Sequence, residues 1–231
     1  GSGDGAVVVT NAGSVGTVNV ATDAVTDASG IVLNGSLANG TKNTATVTNN
    51  GLVTGGLVAS GFGGTVKIDN SGTIHNGLTA SGAGDVSLNT TSVGAVRSGS
   101  VSASSFDSKF DPVTGTSTTT SGNVSIVQDG AAVSADGTTK VNISAFSAAG
   151  KADVSVNAVA GNVAANAGGV VKSQSLSTAP AAGKAVDTFV SSTTIGGGAA
   201  TVTIGSAGDV GLVSANGAGG STVTVDGKVN S

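Results

Sequence analysis

One valine-rich phrase in this chain returns after a fixed interval, and that return limits the possible folds more than any other feature. Ala45-Thr46-Val47-Thr48-Asn49-Asn50-Gly51-Leu52-Val53 is followed by Val66-Lys67-Ile68-Asp69-Asn70-Ser71-Gly72-Thr73-Ile74. Val47 and Ile68, Asn49 and Asn70, Gly51 and Gly72, and Val53 and Ile74 each stand 21 residues apart. The same interval joins Leu57 to Leu78, Ala59 to Ala80 and Gly61 to Gly82. Self-similarity at a short fixed period marks a repeat architecture, in which each unit buries its apolar face against its neighbours. An extended structural or adhesive rod is therefore expected, rather than an enzyme.

Within the phrase, residues alternate. Val66 and Ile68 fall on one face of a strand, and Lys67 and Asp69 on the other. The aliphatic pair is predicted to be buried and the charged pair exposed. Asn-x-Gly is predicted to turn a corner, because Asn tolerates left-handed backbone and Gly carries no Cβ. Val53 and Ile74 then open a short second strand, and Leu57/Leu78 with Ala59/Ala80 continue on a further side. Looser copies occur at Val7–Val15, Val86-Ser87-Leu88, Val124-Ser125-Ile126, Val141-Asn142-Ile143 and Val154-Ser155-Val156. Val202-Thr203-Ile204 and Val223-Thr224-Val225 are again 21 apart.

Stacking such units in parallel pairs the backbone N–H and C=O groups of one coil with those of the next. Like side chains then pile up: Val47 on Ile68 on Leu88, and Asn49 on Asn70 as an amide ladder. The expected fold class is all-β, a right-handed parallel β-helix (β-solenoid) with about 20–21 residues per coil. A flatter two-sided solenoid is the alternative. An antiparallel sandwich gives no reason for a constant register. At this period the chain is predicted to hold about ten or eleven coils and to reach about 50 Å.

Composition fits a slim interior. The 231 residues include 39 Gly and 2 Pro, with no Cys, Met, Trp or Tyr, and every one of the 13 acidic residues is Asp. A wide core built on Leu, Phe and Met is out of reach, whereas a narrow one of stacked Val, Ile, Leu and Ala is not. The net charge of −4 supplies no basic patch, so no nucleic-acid partner is expected. No apolar run approaches the roughly 18 residues of a membrane span, so no direct membrane insertion of this segment is expected. Without cysteine there is neither a disulfide framework nor thiol chemistry. Gly1-Ser2-Gly3 reads as a cloning scar, and the chain as a piece of something longer.

The chain is expected to be a single unit over 1–231, with loop excursions or irregular coils near 102–121 and 172–194. These two stretches hold both prolines and three of the five phenylalanines, and proline cannot donate to a ladder. In the first stretch, Phe106, Asp107, Lys109, Phe110 and Asp111 form a candidate contact loop, because aromatic side chains on a loop over a rigid scaffold suit recognition. His75 and Arg97 are the only residues of their types. His75 takes the repeat position of Thr54, beside the inward Ile74, and is expected to face solvent. One His without Cys or Glu makes no recognisable metal site. Gly82-Ala83-Gly84-Asp85 and Gly205-Ser206-Ala207-Gly208-Asp209 lack the tandem spacing of a calcium-binding Gly-rich repeat. The Asp residues are scattered, so no catalytic pair, metal or cofactor is expected. Thr201/Thr203 and Thr222/Thr224 stack, but Lys67 and Asp69 interrupt the array where Thr46 and Thr48 stand, which argues against a flat ice-binding plane.

At Val47-Thr48-Asn49-Asn50-Gly51, Ile68–Ile74 and Leu78–Gly82, the chain resembles the passenger region of large Gram-negative autotransporter adhesins. It is also similar to filamentous-haemagglutinin-type exoproteins, which share the step N-[NS]-G-[TL]-[IV]. This resemblance implies secretion across the outer membrane, display at the bacterial cell surface and a role in attachment or biofilm formation. The partner it implies is a host or bacterial surface glycan or protein. The alternative is a structural filament or extracellular matrix protein formed by end-to-end self-association of the coils.

Overall fold

The computed structural model describes residues 2–3, 6–35, 43–61, 63–113, 116–176 and 189–229. They are all-β, in mostly parallel sheets. The first sheet orders Ser2–Gly3, Ile31–Gly35, Leu57–Gly61, Leu78–Gly82, Ser100–Ser105, Asn142–Ser147, Val163–Ala167 and Val213–Gly217 side by side. The second orders Val7–Asn11, Asn43–Asn49, Gly63–Asn70, Val86–Thr90, Val124–Gln128, Ala152–Val156, Ala200–Ile204 and Ser221–Val225. A third, of two-residue strands, holds Ser14–Val15, Leu52–Val53, Thr73–Ile74, Ala95–Val96 and Ala131–Ala132. From Asn43 to Ser105 the chain passes through the second, third and first sheets in strict rotation.

The register is the one read from the repeat. Ile68 pairs with Val47 on one side and Leu88 on the other, and all three are fully buried. The column continues through Ile126, Val154 and Val202. Leu57, Ala59 and Gly61 lie against Leu78, Ala80 and Gly82. Burial alternates along each strand because successive side chains leave the pleat on opposite faces; Leu78, Ala80 and Leu57 are inside with the Val and Ile columns in one continuous core. Outside, Lys67 and Asp69 pair at 2.8 Å, Asp69 being half-buried.

The corner works differently from the prediction. Asn49 and Asn70 do not adopt left-handed backbone; they are buried and form the amide ladder. Asn11 Nδ2 donates to Asn49 Oδ1 at 2.8 Å, and Asn49 Nδ2 donates to Asn70 Oδ1 at 2.8 Å. The following glycines are needed for close approach instead. A Cβ on Gly72 would stand 2.0 Å from the Gly51 carbonyl oxygen, and one on Gly51 would stand 1.8 Å from that of Gly13. Left-handed backbone belongs to the next corner, at Gly56, Asn76, Gly77 and Gly99.

The ladder stops after Asn70. Thr90 occupies the next position and Gln128 the one after it, and Asn70 Nδ2, Thr90 Oγ1 and Gln128 Oε1 are buried without hydrogen-bond partners. Thr90→Asn, similar in volume though not in shape, supplies an acceptor for Asn70 and a donor for Gln128. Stability in urea is expected to rise by about 1 kcal/mol; an unchanged or lower midpoint would contradict the continued ladder.

Two further expectations are corrected. The long sheets hold eight strands each among the described residues, fewer than the sequence predicts, because insertions consume length between paired strands: Val86 pairs with Val124, and Ala152 with Ala200. Asn142–Ser147 belongs to the first sheet, against Ser100–Ser105, and not with Val124–Gln128. The two excursions take the form of hairpins. Ser100–Ser105 is regular sheet, and the first excursion is a hairpin of Asp107–Asp111 with Thr116–Thr120. The second pairs Gly169–Leu176 with Phe189–Gly197, its Pro180 lying outside the described residues. The hairpins join through Thr116–Gln174, Ser117–Ser173 and Thr118–Lys172 into one four-stranded antiparallel sheet.

Candidate functional site

The third sheet brings the chain's only histidine and only arginine together. His75 and Arg97 each follow a two-residue strand, one repeat apart, and the ladder carries through them: His75 N–H donates to Val53 O and Arg97 N–H to Ile74 O, both at 2.8 Å. They are therefore neighbours in a column that begins at Thr54.

Two insertions rise beside this column. One is a hairpin of Thr17–Asn19 and Ala24–Asp27, held by a Thr17–Thr26 hydroxyl contact at 2.8 Å. Its base is tied to the column by Thr54, whose hydroxyl donates to the Asp27 carbonyl and accepts from Ser29 N–H. Its turn ends at Asp23, in the left-handed region at φ 55°, a conformation that Asp adopts more readily than most residues. The other insertion leaves at Val133 and returns at Lys140, which form an antiparallel bridge. Asp136 organises its turn, accepting from the Ser134 hydroxyl and from the N–H and hydroxyl of Thr138. These bonds, the Ser134 hydroxyl first, lower the Asp136 pKa to about 2, so the carboxylate remains an ionised acceptor well into acid.

Between hairpin and turn lies a cleft of ≈ 320 Å³. His75 and Arg97 form its floor, and Asp23 and Asp136 stand on its opposite walls. Contrary to the expectation of solvent exposure, His75 is only 4% exposed. The cause is the Thr17–Asp27 hairpin, which sets Asp23 Oδ1 3.5 Å from His75 Nε2 and Asp23 Oδ2 3.7 Å from Arg97 Nε. Both distances exceed the ~2.7–2.9 Å of a charge-assisted hydrogen bond, and both nitrogens are buried without a hydrogen-bond partner. A signal for this grouping exists in the sequence: the only His and the only Arg share one repeat position in successive repeats.

The candidate contact residues lie elsewhere; none of Phe106, Asp107, Lys109, Phe110 and Asp111 lines the cleft. Phe106 is 55% and Phe110 64% exposed. Phe106 links the regular strand Ser100–Ser105 to the antiparallel sheet, and the other four belong to that sheet's outer strand, Asp107–Asp111. Phe146, also exposed, sits on the strand beside Ser100–Ser105, opposite Ser104. Among the described residues no group of three or more His, Asp or Glu gathers that could hold a metal ion, and no helix is long and apolar enough to cross a membrane.

No protein-family model, curated protein or solved structure matches the chain.

Proposed function

We propose that the parallel sheets are successive coils of a right-handed β-helix of about 20–21 residues per regular coil, and that it serves as the stalk or passenger rod of an adhesin. In this reading the chain is not an enzyme. It is secreted across a Gram-negative outer membrane, displayed at the cell surface, and mediates attachment or biofilm formation through a surface glycan or protein. One observation carries the reading: a repeated ladder with a slim aliphatic core holds out an antiparallel sheet that bears the exposed Phe110, with the exposed Phe106 at its root. A rigid scaffold presenting a separate sheet suits recognition at a distance from the surface that bears it.

The test is attachment of beads coated with the chain to bacterial and epithelial cells. Replacing residues 107–120 with a short Gly-Ser turn is expected to lower attachment severalfold while the far-ultraviolet circular dichroism stays that of β-sheet. Beads that bind no better than albumin-coated ones would end the reading.

A second reading is favoured by Ser221–Val225, the end strand of the second sheet among the described residues. Val223 and Val225 are 48% and 44% exposed, although they stack on the fully buried Val202 and Ile204. Aliphatic side chains this exposed on a strand paired on one side among the described residues suit end-to-end assembly into a filament. Sedimentation velocity over a wide concentration range separates the two: a stalk keeps one sedimentation coefficient, and a filament unit elongates.

A further inference from the structure

We propose that the cleft between the Thr17–Asp27 hairpin and the Ser134–Thr139 turn binds a neutral saccharide; resting on the reading of the chain as an attachment rod, this names what that rod holds.

The floor carries an imidazole and a guanidinium nitrogen that make no hydrogen bond and face Asp23 only at 3.5 and 3.7 Å. Both, His75 Nε2 and Arg97 Nε, are buried and border the cleft. Leaving such groups unmet in the interior costs free energy, and an oxygen entering the cleft meets it. The walls carry acceptors, Asp23 and Asp136. Ser98 adds a hydroxyl whose oxygen already accepts from Asn76 N–H at 2.9 Å, which leaves its proton for a ligand. A sugar hydroxyl is donor and acceptor at once, so one bridging Arg97 or His75 to a wall carboxylate uses both capacities. Vicinal hydroxyls do this twice.

Charge selects against the other small-ligand classes. An anion approaching Arg97 meets two carboxylates, and a cation approaching the carboxylates meets the guanidinium. A neutral ligand rich in hydroxyls meets both signs of charge without repulsion, donating to the carboxylates and accepting from the guanidinium. Val25 and Ala135 give the walls small apolar surface for the C–H face of a ring. The volume is at the low end for small-molecule sites, and the lining contains no Phe, Tyr or Trp on which a sugar could stack. Affinity is accordingly weak, with Kd about 1 mM.

Because His75 is the only histidine, its ring-proton NMR signals have a single assignment and report the floor of the cleft directly. The experiment titrates the purified chain with glucose, galactose, mannose and N-acetylglucosamine, with glucuronate and spermidine as charged comparisons. At least one neutral sugar is expected to shift the His75 signals saturably, and to lose that saturable shift in Arg97→Leu and Asp136→Asn. The remaining methyl signals of each variant check that it is folded. If no neutral sugar moves the His75 signals by about 50 mM, far above the expected Kd, the proposal is overturned. It is equally overturned if glucuronate or spermidine produces the larger saturable shift, or if the sugar response survives in both folded variants. Failure here leaves bead attachment through the antiparallel sheet unaffected, so it is distinguishable from failure of the adhesive reading.

Discussion

Ile68→Asp is expected to abolish the cooperative thermal transition of the stack around Gly63–Asn70. Ile68 is fully buried between Val47 and Leu88. Removing it forfeits about 2–3 kcal/mol of side-chain burial. The new carboxylate then enters an aliphatic column with no partner, which adds several kcal/mol or forces the side chain to bind a proton. Together these approach the whole stability of an ordinary domain, about 5–15 kcal/mol. The neighbouring Lys67→Asp is the comparison. Lys67 is 58% exposed along its side chain, and its pairing with Asp69 is a surface contact worth about 0–1 kcal/mol. Thermal melting followed by circular dichroism is expected to show a large loss for the first substitution and a small shift for the second. Equal melting of Ile68→Asp and the parent would refute the stacked core.

Gly72→Ala is expected to be nearly as damaging, for a different reason. The added Cβ would stand 2.0 Å from Gly51 O and 2.7 Å from Gly51 N. Both are backbone atoms of the adjacent layer, so no side chain can swing aside. Relief requires the two strands to part, which breaks Thr73 N–H to Gly51 O and His75 N–H to Val53 O and lifts Ile74 from its column. A loss of about 3 kcal/mol or more is the order typical of overpacking combined with broken buried hydrogen bonds. Gly13→Ala provides the control. Gly13 stands at the start of the same glycine column, and a Cβ there meets nothing within 4 Å. Its unfolding midpoint in urea is expected to match the parent closely.

Much of the stack was legible because identical environments impose identical residues. Val47, Ile68 and Leu88 occupy one column, so each must be aliphatic, and the spacing shows in the sequence as a constant interval. Asn49 and Asn70 likewise repeat because each amide answers the next. The glycine of the same phrase was read correctly in position and wrongly in cause: a close approach between layers and a left-handed corner both demand glycine, and sequence alone does not separate them.

The insertions were less legible for the converse reason. The Thr17–Asp27 hairpin occurs once, so no second copy sets its register, and its turn, at Ala21-Thr22-Asp23, has neither Gly nor Pro to announce it. Without that hairpin, His75 looks like a surface residue beside Ile74; with it, the same side chain is sealed under Asp23. The partnership of Thr116–Thr118 with Lys172–Gln174 is antiparallel and joins segments more than fifty residues apart, a relation that periodicity cannot encode. Part of the candidate site was nonetheless visible, since the only His and the only Arg share a repeat position. What hid it was the identity of the walls.

The bond between the two hairpins changes how the stack behaves as a unit. A pile of repeats coupled only to nearest neighbours frays and re-forms layer by layer. Here, strands leaving after Ser105 and after Gly168 clasp each other outside the pile, bracketing the layers of Ser100–Ser105, Asn142–Ser147 and Val163–Ala167. Those layers must therefore open together or not at all. Along an otherwise gradually unravelling column, this clasp sets a stretch that opens as one block.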